Sequence, residues 1–251
     1  MSAPAVRVSP EWLALREPAD AAARSAELAE RLGRHLATAG QLEIHDLGGG
    51  SGAMGRWLAP RLPGPQHWVV HDRDEDLLAL AADGGEVRLS DITRLSPGDL
   101  DGADLVTASA LLDMLTADEL ERMLGACAGL PLLVAMTVTG HVALTPSDPL
   151  DERMVAAFNV HQHRDGRLGP DAVAAVEELH PEVIARPSPW HLGAAHADLM
   201  AEWFGGWVTA ACEQDPALAA EAAGYRERRL AQAAAGELEV TVDHADLLVL
   251  P

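Results

Sequence analysis

Short apolar runs recur along this chain with the period of strands, and helix-compatible stretches separate them. Leu42 to Asp46 alternates apolar and polar residues, as a half-buried strand does. His67–Asp72, Glu86–Asp91 and Ala103–Ser109 are further strand-like runs. Leu132–Val138 is continuously apolar apart from one threonine, as expected of a central parallel strand covered on both faces. Between these runs the sequence predicts helices over Met54–Leu62, from Asp74 to about Asp83, and over Asp118–Cys127. Thr116-Ala117-Asp118-Glu119 fits a capping box at the start of the last of these. Five strands with three helices between them predict a doubly wound, mostly parallel sheet.

The flanks of this pattern differ. Ser9-Pro10-Glu11 reads as a helix start, with serine at the N-cap and proline in the first turn. Helical composition then runs to about Thr38, with a break expected near Pro18. Residues 1–40 are therefore expected to form an N-terminal helical cap, and 41–251 the main domain. After the fifth strand a loop from Gly140-His141 past Pro146 and Pro149 leads to a helix near Asp151–Val160. A polar loop over His161–Pro170 and a helix to Leu179 follow. Val183 to Leu192 reads as the sixth strand, and Glu239–Val249 as the seventh and last. Two helices, Ala194–Cys212 and Pro216–Ala235, lie between them as an insertion.

Candidate chemistry concentrates after the first strand. Asp46-Leu47-Gly48-Gly49-Gly50-Ser51-Gly52 is a glycine-dense turn between strand and helix. Glycine lets backbone approach a ligand closely and tolerates positive φ. Gly50, Gly52 and Gly55 complete a G-x-G-x-x-G pattern, which also serves dinucleotides. A carboxylate at Asp46 would repel a pyrophosphate. The same group suits S-adenosyl-L-methionine, which carries an ammonium, a sulfonium and no phosphate. Asp72 ends the second strand, where a carboxylate can hold a ribose diol in either cofactor. Arg73 adjoins it.

The Asp-Leu-Gly-Gly-Gly-Ser-Gly run resembles the first motif of class I S-adenosylmethionine-dependent methyltransferases. The resemblance extends over about Leu42 to Pro251 and is closest to the small-molecule group, which includes trans-aconitate and quinone-biosynthesis enzymes. It implies a Rossmann-like sheet whose last strand runs antiparallel between the fifth and sixth. It implies cofactor contacts from Asp46, Gly48, Gly49, Gly50, Gly52, Asp72 and Arg73. Asp91-Ile92 resembles the family's adenine-contact motif, and Ser109 to Asp113 its segment after the fourth strand. The segment before the first strand, with Trp12, Leu13, Arg16, Asp20 and Arg24, often covers the active site in this group.

Methyl transfer needs alignment more than a catalytic side chain, but a weakly acidic acceptor needs a base. His141, His161, His163 and Asp113 are the candidates in that order, since neutral imidazole accepts protons near pH 7. Asp113 stands where many relatives carry histidine. Arg164 and Arg167 could pair an anionic group on the acceptor, so a polar small molecule is expected there. The segments 141–180 and 194–235 are the expected lid elements, and Trp190, Trp203 and Trp207 the aromatic residues available to them. His161-x-His163 lacks a completing ligand at a recognised spacing, so no metal is expected. A nicotinamide oxidoreductase remains the alternative, as does a silent protein of the same fold.

Composition narrows the field. The formal net charge of -21 argues against nucleic acid and anionic membranes as partners. No lysine occurs, and every basic side chain apart from histidine is arginine, which reads as genomic bias. Cys127 and Cys212 lie in apolar surroundings and read as free buried thiols. No secretory signal and no apolar run of membrane-spanning length is visible, so a cytoplasmic protein is expected.

Overall fold

The computed structural model describes residues 8–38 and 40–251. Residues 1–7 and Ala39 of the expected N-terminal cap lie outside the described residues. Strands β1 (Leu42–Leu47), β2 (Gln66–Asp72), β3 (Glu86–Leu89), β4 (Leu105–Ser109) and β5 (Leu132–Thr145) pair in parallel in the order β3-β2-β1-β4-β5. The last strand, β8 (Glu239–Val249), lies antiparallel on β5. Its other edge carries β6 (Ile184–Pro187) and β7 (Trp190–Leu192), also antiparallel. The last strand thus runs antiparallel between the fifth and the sixth, as the resemblance implied.

Among the described residues there are eight strands, not the expected seven, because the run over 183–192 divides. Pro187 and Pro189 lack the N–H that a continuous ladder needs. Ser188 between them turns inward instead. Its amide donates to the His244 carbonyl at 2.8 Å, and its hydroxyl to Asp246 Oδ1 at 2.6 Å. A second difference concerns β5, which does not end at Val138. It continues through Gly140-His141 to Thr145 as an arm paired with β8. Gly140 has φ +82° where the register shifts between Val138 and Val142, a backbone state that glycine supplies at a bulge.

Alternation along the strands divides the core between two faces. Ile44, Leu105 and Leu133 join one cluster with Leu28, Leu32 and Phe204. Val106, Leu132 and Val134 join another with Leu120 and Met123. Helix α1 (Pro10–Ala23) starts where predicted, with the Ser9 hydroxyl accepting from the Trp12 amide at 3.1 Å. The expected break at Pro18 does not occur. Pro18 and Ala14, four residues earlier, are both exposed, so water can take the carbonyl that proline leaves unpaired. The chain breaks after Arg24 instead, where the Ser25 hydroxyl caps α2 (Ala26–His35).

The remaining helices are α3 (Ala53–Leu58), α4 (Glu75–Ala81), α5 (Ala117–Ala126), α6 (Asp151–Gln162), α7 (Ala172–Leu179), α8 (Ala197–Gln214) and α9 (Ala219–Ala234). Helix α9 of the insertion is tied to α6 through buried Arg229, which pairs with Asp151 at 2.5 Å, and the Tyr225 hydroxyl, which donates to Asp151 at 2.7 Å. Among the described residues no helix is long and apolar enough to cross a membrane.

Candidate functional site

A cavity of about 660 Å³ lies at the carboxyl ends of the parallel strands, where open α/β sheets bind ligands. Backbone geometry marks the same place. Ala110, Met136 and Asp165 are the non-glycine residues with positive φ among those described, and all three line this cavity. Such conformations cost about 1–3 kcal/mol each and cluster at functional sites. Ala110 and Met136 follow β4 and enter the bulge of β5. The Ala110 amide donates to the Ala135 carbonyl, and the Met136 amide to Asp246 Oδ1. Asp246 also accepts from the Ser25 amide and the Ser188 hydroxyl. This buried carboxylate therefore fixes the bulge against α2 and the β6–β7 corner.

One end of the cavity is formed by the turn after β1. Gly48 and Gly50 line it with φ of +62° and +53°. The Gly50 amide donates to Asp72 Oδ2, and the Asp74 amide to Asp72 Oδ1, both at 2.9 Å. Asp72 thus faces the cavity with its carboxylate held by backbone on both oxygens. Arg73, Asp91, Ile92 and Ser109 also line the wall. Asp91 Oδ1 accepts from the Thr93 amide and hydroxyl. Ser109 Oγ accepts from the buried Arg24 guanidinium at 2.9 Å.

Asp46, Gly49 and Gly52 do not reach the cavity wall. Asp46 is buried beneath the turn, where Oδ1 accepts from the Thr107 hydroxyl at 2.7 Å and Oδ2 has no partner. A Cβ on Gly49 would lie 2.5 Å from that Oδ2 and 2.7 Å from Val70, so glycine is required for the turn to sit on the carboxylate. Desolvation pushes the Asp46 carboxyl up to about 6, against the Thr107 hydrogen bond and the Arg24 charge. The structure thus places Asp46, expected to touch a ligand, beneath the turn rather than on the cavity wall.

The other end is walled by α1, β5, β8 and the helical segments. Trp12, Arg16, Phe158, Trp190 and Trp203 line it together with Met136. Arg16 is held by Asp20 through two bonds of 2.9 and 3.2 Å, and its guanidinium lies over the rings of Trp190 and Trp12. Asp20 also accepts from the Trp190 indole at 2.9 Å. Asp113 lines the wall, and desolvation raises its carboxyl pKa, opposed by its own backbone and by Arg16 and Arg167.

The three candidate histidines are elsewhere. His141 lies on the extended arm of β5 and pairs with Asp243 at 2.9 Å, largely exposed. His161, in the last turn of α6, pairs with Glu213 of α8 in a separate surface groove. His163 faces Asp171 and the Arg167 carbonyl. None lines the cavity, so none is placed to take a proton there. Arg164 is likewise spent on α8, donating to the Glu213 carbonyl and carboxylate and to Gln214. Arg167 does line the cavity. Trp207 is buried in the core rather than on the wall.

His244 lines the cavity and has no counterpart among the sequence-based candidates. It packs against Trp190 with ring centroids 5.2 Å apart, and burial pushes its pKa down to about 4. Its strand alternates with one polar ring on the covered side, a signal that is present in the sequence but weak.

No protein-family model matches the chain, and no curated protein does. Solved structures resemble it in fold. The cyclopropane synthase MmaA2 from Mycobacterium tuberculosis is 15% identical, with 96% of this chain and 95% of that chain covered and a TM-score of 0.49. A SAM-dependent methyltransferase from Thiobacillus denitrificans, in complex with S-adenosyl-L-homocysteine, is 12% identical over 98% of this chain and all of that chain, with a TM-score of 0.47. Another from Geobacter sulfurreducens, also with S-adenosyl-L-homocysteine, is 15% identical over 97% and 99%, with a TM-score of 0.45.

Proposed function

We propose that this protein transfers a methyl group from S-adenosyl-L-methionine to a small-molecule acceptor. The observation that carries this reading is one cavity with two unlike ends. One is a glycine turn with a backbone-held carboxylate, and the other an aromatic chamber. The residues present fit the cofactor. A Cβ on Gly48 would crowd Leu111 at 3.0 Å and one on Gly50 would crowd Leu13 at 3.2 Å, so bare backbone faces the cavity there, and Asp46 places a buried negative charge under the turn. S-adenosyl-L-methionine supplies an electrophilic methyl group on a sulfonium sulfur.

The chain's own residues would do the rest. Asp72 would accept from the ribose hydroxyls, Asp91 from the adenine amine, and Ile92 would cover the base. Gly48 and Gly50 would admit the amino-acid end, with Ser109 and Arg73 on the adjoining wall. The chamber would hold the acceptor in line and exclude water. Alignment of this kind can be worth roughly 7–11 kcal/mol of barrier. Asp113 is the candidate base that faces the acceptor, and its raised pKa makes it a stronger one. Calorimetric titration with S-adenosyl-L-homocysteine and with NADH tests the reading. Micromolar binding of the former and none of the latter is expected. Tight NADH binding without S-adenosyl-L-homocysteine binding would overturn it in favour of an oxidoreductase.

A further inference from the structure

The chamber's walls say more about the acceptor than the polar loops do. Aromatic residues make up only 4% of this chain. Yet three of its six tryptophans and one of its two phenylalanines line this single cavity. Trp203 stacks on Trp207 with centroids 5.1 Å apart and planes 17° from parallel, which fixes its ring as a flat wall. Phe158 packs on the same Trp207 at 6.4 Å. Met136, Val138, Val142 and Val242 complete an apolar surround. Stacking on rigid aromatic rings favours planar ligands.

Charge decides between planar ligands. An aromatic chamber can also be a cage for a quaternary ammonium. Here Arg16 already lies over Trp12 and Trp190, locked by Asp20, so those two rings carry a cation of the protein's own. A second cation would meet that charge. Arg167 also lines the wall, but Asp165 lies 3.9 Å from it, and a strongly anionic acceptor is opposed by Asp113 and Glu119 and by the net charge of -21. What remains favourable is a neutral ring with one polar group that can donate a hydrogen bond to Asp113.

We infer that the acceptor is a neutral, planar aromatic compound bearing a hydroxyl or amine, stacked on the face of Trp203, with Phe158 inclined against it and that donor on Asp113. The inference rests on the methyltransferase reading, and it replaces the broader expectation of a polar or anionic acceptor. That expectation drew on His141, His161, His163, Arg164 and Arg167, of which the fold brings only Arg167 to the chamber, with Asp165 at 3.9 Å from it.

Matched probes test it. 6-Hydroxyquinoline and 6-fluoroquinoline are similar in shape, and only the first carries a donor. Their affinities are measured by calorimetry with S-adenosyl-L-homocysteine at saturation. The wild-type protein should bind the hydroxyl compound at least fivefold more tightly. Trp203→Leu should weaken both probes at least fivefold, and Trp203→Phe, which keeps a ring, should restore most of the loss. Asp113→Ala should abolish the preference while leaving 6-fluoroquinoline binding unchanged. Absence of binding by both probes, or Trp203→Leu without effect, would overturn the ring assignment. A preference that survives Asp113→Ala would overturn the donor assignment. S-adenosyl-L-homocysteine binding by each variant separates these results from misfolding. Its loss from the wild-type protein would instead refute the methyltransferase reading itself.

Discussion

The two ends of the cavity are built by different means. The end with the glycine turn is assembled from short stretches: Gly48 and Gly50, residues 72–74 and residues 90–93. Each stretch ends a parallel strand, and the backbone itself makes the binding surface. The other end draws single side chains from distant places, among them Trp12, Asp113, Phe158, Trp190, Trp203 and His244. There the surface exists only because α1, α6, α8 and the β5–β8 arm pack together. A surface made of local backbone can be recognised from a motif. One made of side chains far apart in sequence cannot, because each residue taken alone looks like ordinary core.

If that contrast is right, damage to the first end should be severe and local. Asp72→Ala removes the acceptor of the Gly50 and Asp74 amides as well as a cofactor contact. Hydrogen bonds to a charged group are worth roughly 1.5–3 kcal/mol each. Affinity for S-adenosyl-L-homocysteine should fall at least tenfold in calorimetry. The thermal midpoint without ligand should fall too, because two turn amides lose their partner. An unchanged midpoint would mean that the turn holds its shape without Asp72.

Asp46 offers a smaller test of the same end. Its folded pKa of about 6 lies above the ordinary 3.8, so the folded protein holds this proton more tightly than the unfolded chain does. Its contribution is therefore most favourable at or below about pH 4, declines as pH rises to about 6, and is constant above that. A shift of this size corresponds to about 3 kcal/mol. Asp46→Asn cannot ionise there. Denaturant unfolding between pH 4 and pH 7 should show wild-type stability falling relative to the variant by an amount of that order. Parallel curves would show that Asp46 is ordinary in the folded state.

The smallest effect is expected from the histidines that once looked most reactive. Replacing His141, His161 and His163 together by alanine should change affinity for S-adenosyl-L-homocysteine and for 6-hydroxyquinoline less than twofold. Their partners, Asp243, Glu213 and Asp171, are surface carboxylates, and exposed pairs contribute little. A tenfold loss of probe affinity would place one of them at the cavity after all and blur the distinction between its two ends.

Alternating runs and caps were enough to place every helix and strand of the parallel half, since local periodicity follows from backbone geometry. Ser9 and Thr116 cap their helices where their side chains alone suggested. The chain also determined the glycine turn, because a strand, a run of glycines and a helix leave little choice of path. What it left open was decided by pairing across the sheet. The match of Val142 to Val242 and Leu144 to Val240 extends β5 past Gly140 and carries His141 out to the exposed arm. Asp246, buried among three partners, sets where β5 bulges and where β6 ends. The same packing brings Trp203 from the insertion to the cavity of a sheet whose first strand ends more than 150 residues earlier. Motifs record the contacts a chain makes with itself nearby. The acceptor chamber is made of contacts between distant segments, whose positions only the packed core fixes.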